Sequence, residues 1–154
     1  MGTWHRLAQD QFPELKDASV RVETLVDLYS ELTSQLKRAL LAEDVAMVQR
    51  VVAYALWGVT QSKNEQFVHC TTDLFLQIVQ SPSRRTTLWR YLTPTQFSKL
   101  KLFFADDVDR GPKLKDLEQE YRSTPRPNNA LESGRAKKRR AAQRGRWVAN
   151  PQRA

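Results

Sequence analysis

The stretch that decides the fold covers residues 19–41 and reads SVRVETLVDLYSELTSQLKRALL. Its apolar residues recur every three or four positions, at Val22, Leu25, Leu28, Tyr29, Leu32, Leu36 and Ala39. This spacing puts them on one face of a single α-helix, which we predict over Ser19–Leu41. Because a helix with one apolar face needs partners that cover it, the rest of the chain should supply further helices.

The same periodicity continues on both sides of this stretch. The other helices predicted from it cover about residues 4–12, 45–59, 64–81, 83–91, 94–104 and 113–121. No stretch alternates apolar and polar residues for long enough to predict a strand. The sequence therefore predicts an all-α protein, an irregular bundle of six or seven helices with a disordered basic C-terminal tail.

Local signals refine three of these helices. Asn64 is predicted to cap the third long helix, and Thr93 with Gln96 forms the capping-box pattern of the helix that starts at Pro94. Gly58, late in its helix, predicts a close helix crossing, because glycine has no side chain to hold a neighbour away.

Charge changes abruptly along the chain. Residues 1–121 hold 15 Lys and Arg against 16 Asp and Glu, whereas residues 122–154 hold 10 Lys and Arg against one acid, Glu132. The formal charge of +8 therefore belongs to the C-terminal part alone. We predict a helical bundle domain over 1–121, a flexible polar linker over 122–134 and a disordered basic tail over 135–154.

The basic tail carries the one functional signal with a direct physical mechanism. Clustered cations on a flexible segment bind RNA, DNA or another polyanion by releasing counterions, without reading sequence. The predicted nucleic-acid-binding residues are Arg135, Lys137, Lys138, Arg139, Arg140, Arg144, Arg146 and Trp147. Two alternatives stay open, a nuclear-import signal in Lys137–Arg140 and a merely solubilising extension.

Catalytic and metal-binding patterns are poorly supported by the sequence. His69 and Cys70 are adjacent on a predicted helix and so point about 100° apart, which does not suit a base and its nucleophile. The acids of 106–109 fit no register of the calcium-loop template, because residues with the wrong chemistry fall at ligand positions in each. We expect no catalytic residue, no metal and no cofactor, and hence a protein that is not an enzyme.

The tryptophans of the body raise a second possibility for binding. Trp57 lies off the main apolar stripe of its helix, so we predict it as an exposed aromatic that binds a protein partner. No run of apolar residues is long enough for a membrane helix, and Met1–Asp10 lacks the pattern of a signal peptide. The expected location is the cytoplasm, or the nucleus for a eukaryotic or viral protein.

Three short motifs carry a family resemblance over about residues 5–105. They are Phe12-Pro13-Glu14-Leu15, the segment from Asn64 to Phe75-Leu76, and Tyr91-Leu92-Thr93-Pro94. With them the body resembles an uncharacterised bacterial family of small helical proteins associated with toxin-immunity neighbourhoods. That family has an acid after the Phe-Leu pair where this chain has Gln77, and it lacks the basic tail. The resemblance implies a binding protein without catalysis that neutralises a partner protein.

Overall fold

A computed structural model describes residues 3–17, 21–61, 65–104 and 113–126 of the chain. In these ranges it contains eight α-helices and no strand: α1 (Thr3–Gln11), α2 (Glu14–Asp17), α3 (Leu25–Ala42), α4 (Val45–Gln61), α5 (Glu65–Val79), α6 (Pro82–Tyr91), α7 (Pro94–Phe104) and α8 (Leu114–Ser123). The all-α class is thereby confirmed for the described residues. The helix added to the predicted seven is α2, a single turn that follows Pro13.

The central helix α3 begins later than the sequence pattern predicted. Thr24 caps it, since the Asp27 backbone N–H donates to Thr24 Oγ1 at 3.2 Å and the Thr24 backbone N–H donates to Asp27 Oδ2 at 2.9 Å. This capping box satisfies N–H groups that would otherwise lack partners at a helix start. The prediction of a start at Ser19 was wrong, and Val22 lies outside the helix although it packs against the core.

Three long helices form the centre of the bundle. α3, α4 and α5 contact one another, α6 packs against all three, and α1 and α7 lie against α4 and α5 respectively. The largest fully buried side chains come from most of these elements: Trp89, Tyr54, Phe12, Phe75, Leu28, Leu32, Leu36, Leu74, Ile78, Leu88, Leu92 and Leu100. Burial of this apolar surface is the main favourable term in the stability of the fold.

The buried face of α4 differs from the predicted stripe. The sequence pattern puts these residues on one apolar stripe: Val45, Val48, Val52, Ala55, Leu56 and Val59. Val45 is nevertheless 39% exposed, whereas Val51 and Tyr54, which lie off that stripe, are fully buried. Because α4 is covered by α1 as well as by α3 and α5, more than one face of it is buried. A single-stripe reading of the sequence cannot anticipate this second contact.

Two of the local predictions are confirmed. A side chain at Gly58 would place its Cβ 2.8 Å from Phe67 Cδ1 and 3.0 Å from the Tyr29 hydroxyl, so α4 does cross its neighbours closely there. The Thr93 backbone N–H donates to Gln96 Oε1 at 3.0 Å and Thr93 Oγ1 accepts from the Gln96 backbone N–H at 3.2 Å. Asn64, the third predicted signal, lies outside the described residues.

The last helix is held by aromatic and ionic contacts. The Tyr121 ring stacks on Phe97 with centroids 4.0 Å apart, and its hydroxyl donates to the Leu92 carbonyl at 2.8 Å. Glu120 pairs with Arg85 of α6 at 3.0 Å. α8 therefore continues to Ser123, past the predicted end at Tyr121. The chain divides after Thr124, and of the second unit, Pro125–Ala154, only Pro125 and Arg126 are described.

Two buried tyrosines give the body a predicted pH dependence. The Tyr29 hydroxyl accepts from Thr71 Oγ1 at 3.2 Å, and the Tyr54 hydroxyl donates to the Trp4 carbonyl at 2.9 Å. Burial raises the pKa of Tyr29 from 10.0 to about 12, and it also raises the pKa of Tyr54. A phenol whose pKa is higher in the folded protein stabilises the fold below pH 10, and this stabilisation is lost as the pH rises towards 12.

We expect the free energy of unfolding, measured by urea titration, to be level from about pH 7 to about pH 8 and to begin to fall above it, since the raised pKa of the Cys70 thiol contributes with the same sign as the tyrosines. It should then fall by roughly 2–3 kcal/mol from Tyr29 alone as the pH approaches 12. Tyr29→Phe should show a smaller fall over the same range. A wild-type stability that stays constant to pH 12 would contradict the assignment.

Candidate binding surface

The predicted nucleic-acid-binding residues, Arg135 to Trp147, lie outside the described residues, so their role stays a prediction. The acids of 106–109 lie outside them as well. Where the chain is described, no helix is long and apolar enough to cross a membrane. The residues with a defined geometry are those of the helical body within the described ranges.

Trp57 occupies a different position from the one predicted. Its ring is half-buried and packs on the periphery of the core, with centroids 5.6 Å from Tyr54 and 6.3 Å from Phe67. The large apolar side chains that are exposed in the described ranges are instead Val26, Leu41 and Val45. Partner binding through Trp57 stays a prediction, but its packing gives the ring a structural role.

His69 and Cys70 are neighbours on α5, but their side chains lie on different sides of the helix. His69 is exposed, whereas Cys70 is buried against the core. Burial, followed by the nearby Asp73 carboxylate, raises the pKa of the Cys70 thiol, which keeps it protonated at neutral pH. Among the described residues, no three His, Cys, Asp or Glu side chains lie close enough to hold a metal ion.

A pocket of about 370 Å³ lies between the end of α3 and the start of α6, and we call it the α3–α6 pocket. Its polar and charged lining comprises Lys37, Glu43, Ser81, Ser83, Arg84 and Thr87, and Leu40 and Leu41 complete it. α3 ends here because Glu43 adopts a left-handed backbone conformation, with φ of 56°. α6 begins with Pro82, whose lack of an N–H costs nothing at a first helical position.

The cations of the α3–α6 pocket have no carboxylate partner among the described residues. Lys37 Nζ donates to the neutral side chain of Gln77, with a distance of 3.1 Å to Oε1. Arg84 lies in the first turn of α6, a turn without any acidic residue. The one acid in the lining, Glu43, pairs with Arg90 at 3.9 Å. The pocket consequently carries an excess of positive charge.

The start of α6 also lacks a hydrogen bond from its N-cap side chain. The Ser81 side chain makes no capping hydrogen bond; its hydroxyl lies 3.3 Å from that of Ser83. The first N–H groups of a helix have no partner within the helix, and a side-chain cap usually satisfies one of them. Cations at a helix N-terminus are moreover repelled by its partial positive charge. Arg84 therefore lies at a position in α6 that disfavours a cation.

Leu41 forms the apolar rim of this pocket. It is 89% exposed, more than any other large apolar side chain in the described ranges. Its neighbour Glu43 holds a conformation with positive φ that costs a residue other than glycine on the order of 1 kcal/mol. The apolar side chain at this end of α3 is therefore open to solvent.

A second depression, of about 400 Å³, lies on the opposite side of the same helix end. Its lining holds three acids and one cation, all of them engaged: Arg38 pairs with Glu31 at 3.4 Å, and Glu14 pairs at 3.0 Å with Arg50, which lies outside the lining. Its remaining acid, Asp44, accepts from the Met47 backbone N–H at 3.2 Å and caps α4. Because these groups are already satisfied, the α3–α6 pocket is the stronger candidate for binding a charged ligand.

Sequence reasoning missed the α3–α6 pocket. One local signal was present. Ser81-Pro82 predicts a helix start, and Arg84 and Arg85 follow in the first turn, where acidic residues are preferred. The pairing of Arg85 with Glu120, rather than of Arg84, could not be read from the sequence. Nor could the approach of Lys37, which is 47 positions away in the chain.

No protein-family model, curated protein or solved structure matches this chain. Its function is therefore inferred from its own residues.

Proposed function

We propose that this protein is a non-enzymatic helical interaction module whose basic tail binds nucleic acid or another polyanion without sequence specificity. The observation that carries the proposal is the partition of charge. Residues 1–121 are almost neutral, whereas residues 122–154 hold 10 Lys and Arg against one acid. A protein built in this way attracts polyanions at one end, and its body remains available for other contacts.

The chemistry of the tail suits phosphate. Arg139 and Arg140 can each present two N–H groups to a phosphate, and the neighbouring lysines add point charges. Trp147 follows the basic run and offers a ring on which an unpaired base can stack, independent of base identity. No residue type in the run favours one base over another, so affinity without sequence preference is the expected outcome.

The test is a titration of the full-length protein against RNA and DNA of mixed sequence at several salt concentrations. Counterion release predicts that log K falls linearly with log salt, with a slope of about −0.9 for each phosphate contacted on duplex DNA. Six contacts would lower affinity roughly a thousandfold between about 50 and 200 mM salt. Binding that does not depend on salt would exclude the proposed mechanism.

A second function, neutralisation of a partner protein by the helical body, is favoured by the exposure of Leu41. A leucine that is 89% exposed beside a pocket can insert into a partner as an apolar anchor. In this alternative, an immunity or antitoxin type of protein, the tail plays no part in the inhibited complex.

Purification of the protein from its native host separates the two functions. The alternative predicts a stoichiometric protein partner that is retained when the tail cations are replaced and lost in Leu41→Asp. Val26→Asp is the matched control, because Val26 is also exposed, at 53%, but does not line the α3–α6 pocket. A co-purified nucleic acid that disappears with the tail cations, without any protein partner, would oppose this alternative.

A further inference from the structure

We infer that the α3–α6 pocket is a phosphate-binding site through which the helical body takes hold of the same nucleic acid as the tail. This inference rests on the proposed function for the identity of the polyanion. The pocket stands on its own geometry, and the group that fits it is the singly charged phosphodiester of a nucleic-acid backbone.

The two cations of the α3–α6 pocket come from different helices. Lys37 belongs to α3 and Arg84 to α6, and packing of the two helices brings both side chains to one cavity of about 370 Å³. Neither cation pairs with a carboxylate among the described residues, although Lys37 Nζ donates to Gln77 Oε1. An anion in the cavity would contact both cations at once.

The α3–α6 pocket also presents hydroxyl groups that can donate hydrogen bonds to a ligand. The Ser81 and Ser83 hydroxyls lie 3.3 Å apart in the lining, and the Ser81 side chain does not cap α6. Phosphate presents several acceptor oxygens, so it can use the hydroxyls, the Arg84 fork and the Lys37 ammonium together. An apolar or cationic ligand would leave these donors unsatisfied.

Arg84 also affects the stability of the fold. Arg84 lies in a helix turn where a cation is disfavoured, so without an anion it weakens the fold. With phosphate bound, Arg84 would stabilise the fold instead of weakening it. The one opposing group in the lining is Glu43, whose charge is offset by Arg90 at 3.9 Å. These features together favour an anion over other ligands.

Four single substitutions tune the charge of the pocket in predicted directions. Lys37→Ala and Arg84→Gln should each weaken phosphate binding about tenfold, since each removes a charge-assisted contact. Gln77→Glu should weaken it as well, because it places a carboxylate at the position of Oε1, 3.1 Å from Lys37 Nζ. Glu43→Gln should strengthen it by removing the one negative charge in the lining.

Arg38→Gln is the matched control. Arg38 follows Lys37 directly but faces the second depression, where it pairs with Glu31. Arg38→Gln lowers the net charge of the protein by one, as Lys37→Ala does, but it leaves the α3–α6 pocket unchanged. Arg84→Gln should also raise the melting temperature slightly while it lowers affinity, because it relieves the repulsion at the helix N-terminus. If Arg84→Gln lost binding because it misfolded, both its melting temperature and its affinity for phosphate would fall.

The experiment uses the isotopically labelled full-length protein and follows the backbone amide signals of Ser83 and Arg84 by NMR. These signals report on the pocket separately from the tail. One titration adds inorganic phosphate and the other a short oligothymidylate. We expect both ligands to shift the two amides, with the oligonucleotide acting at much lower concentration, because the tail raises the effective concentration of phosphate near the pocket.

The outcomes separate this inference from the proposed function. Oligonucleotide binding that leaves the Ser83 and Arg84 amides unmoved, or that is equally strong in Lys37→Ala and Arg38→Gln, overturns the pocket and leaves the tail's role intact. Shifts with inorganic phosphate alone overturn the assignment to nucleic acid. If full-length protein binds no oligonucleotide, the proposed function fails, and phosphate-induced shifts would still support an anion pocket.

Discussion

Replacing the seven basic residues of 135–146 with glutamine in the full-length protein is expected to lower its affinity for nucleic acid at least a hundredfold at about 50 mM salt. These residues supply most of the positive charge of the C-terminal 33 residues. Each cation that contacts a phosphate releases counterions, and this release is the main driving force of binding without sequence preference. The slope of log K against log salt should become much shallower in the variant.

A scrambled tail is the matched control for this prediction. Reordering residues 135–154 keeps composition and charge, so affinity should stay within a few-fold of wild type if electrostatics is the mechanism. Trp147→Ala separates stacking from charge: it should weaken binding to single strands by about 1–3 kcal/mol per stacked base and leave duplex binding almost unchanged. A scrambled tail that fails to bind would mean that the order of residues matters and would contradict the proposal.

Replacing Trp89 with alanine is expected to lower the free energy of unfolding by about 3–5 kcal/mol. Trp89 is fully buried and is the largest such side chain in the described residues. Its ring meets Phe97 edge-on with centroids 5.1 Å apart and Tyr121 with centroids 6.1 Å apart. Removing it leaves a cavity where α6 supports α7 and α8, so these two helices lose contacts together.

Trp57→Ala is the control, because it deletes the same side chain from a half-buried position. We expect a loss of about 1–2 kcal/mol, smaller than at Trp89, since less apolar surface returns to water. Urea titrations of both variants give the comparison. Equal losses would show that burial in this structure does not describe the energetic core. A typical domain has only about 5–15 kcal/mol of stability, so Trp89→Phe provides a milder variant if the alanine variant does not fold.

The helical class was predictable because it depends on local periodicity. The spacing of Leu25, Leu28, Leu32 and Leu36 identifies α3 whatever it packs against. The capping box of Thr93 and Gln96 was equally readable, since a capping box joins residues three positions apart. The start of α3 was misplaced although Thr24 and Asp27 carry a comparable signal, because the apolar Val22 extended the pattern past the cap.

The candidate site could be predicted only where it depends on composition. The cation count of 122–154 is a property of the sequence and needs no fold. The α3–α6 pocket depends on which cations keep a carboxylate partner, and that is decided by contacts between distant residues such as Arg85 and Glu120. The exposure of a side chain also depends on such distant contacts. Trp57 and Leu41 both lie off the apolar stripes of their helices, but Trp57 is half-buried in the fold and Leu41 is exposed to solvent.

The sequence by itself determined that this chain is helical and that its positive charge is confined to its C-terminal part, because periodicity and charge are carried by residues near one another in the chain. The tertiary structure decided that α4 is buried on more than one face, that Gly58 admits the Phe67 ring, and that Lys37 and Arg84 share one pocket. These features depend on how helices pack, and packing joins residues that no local pattern connects.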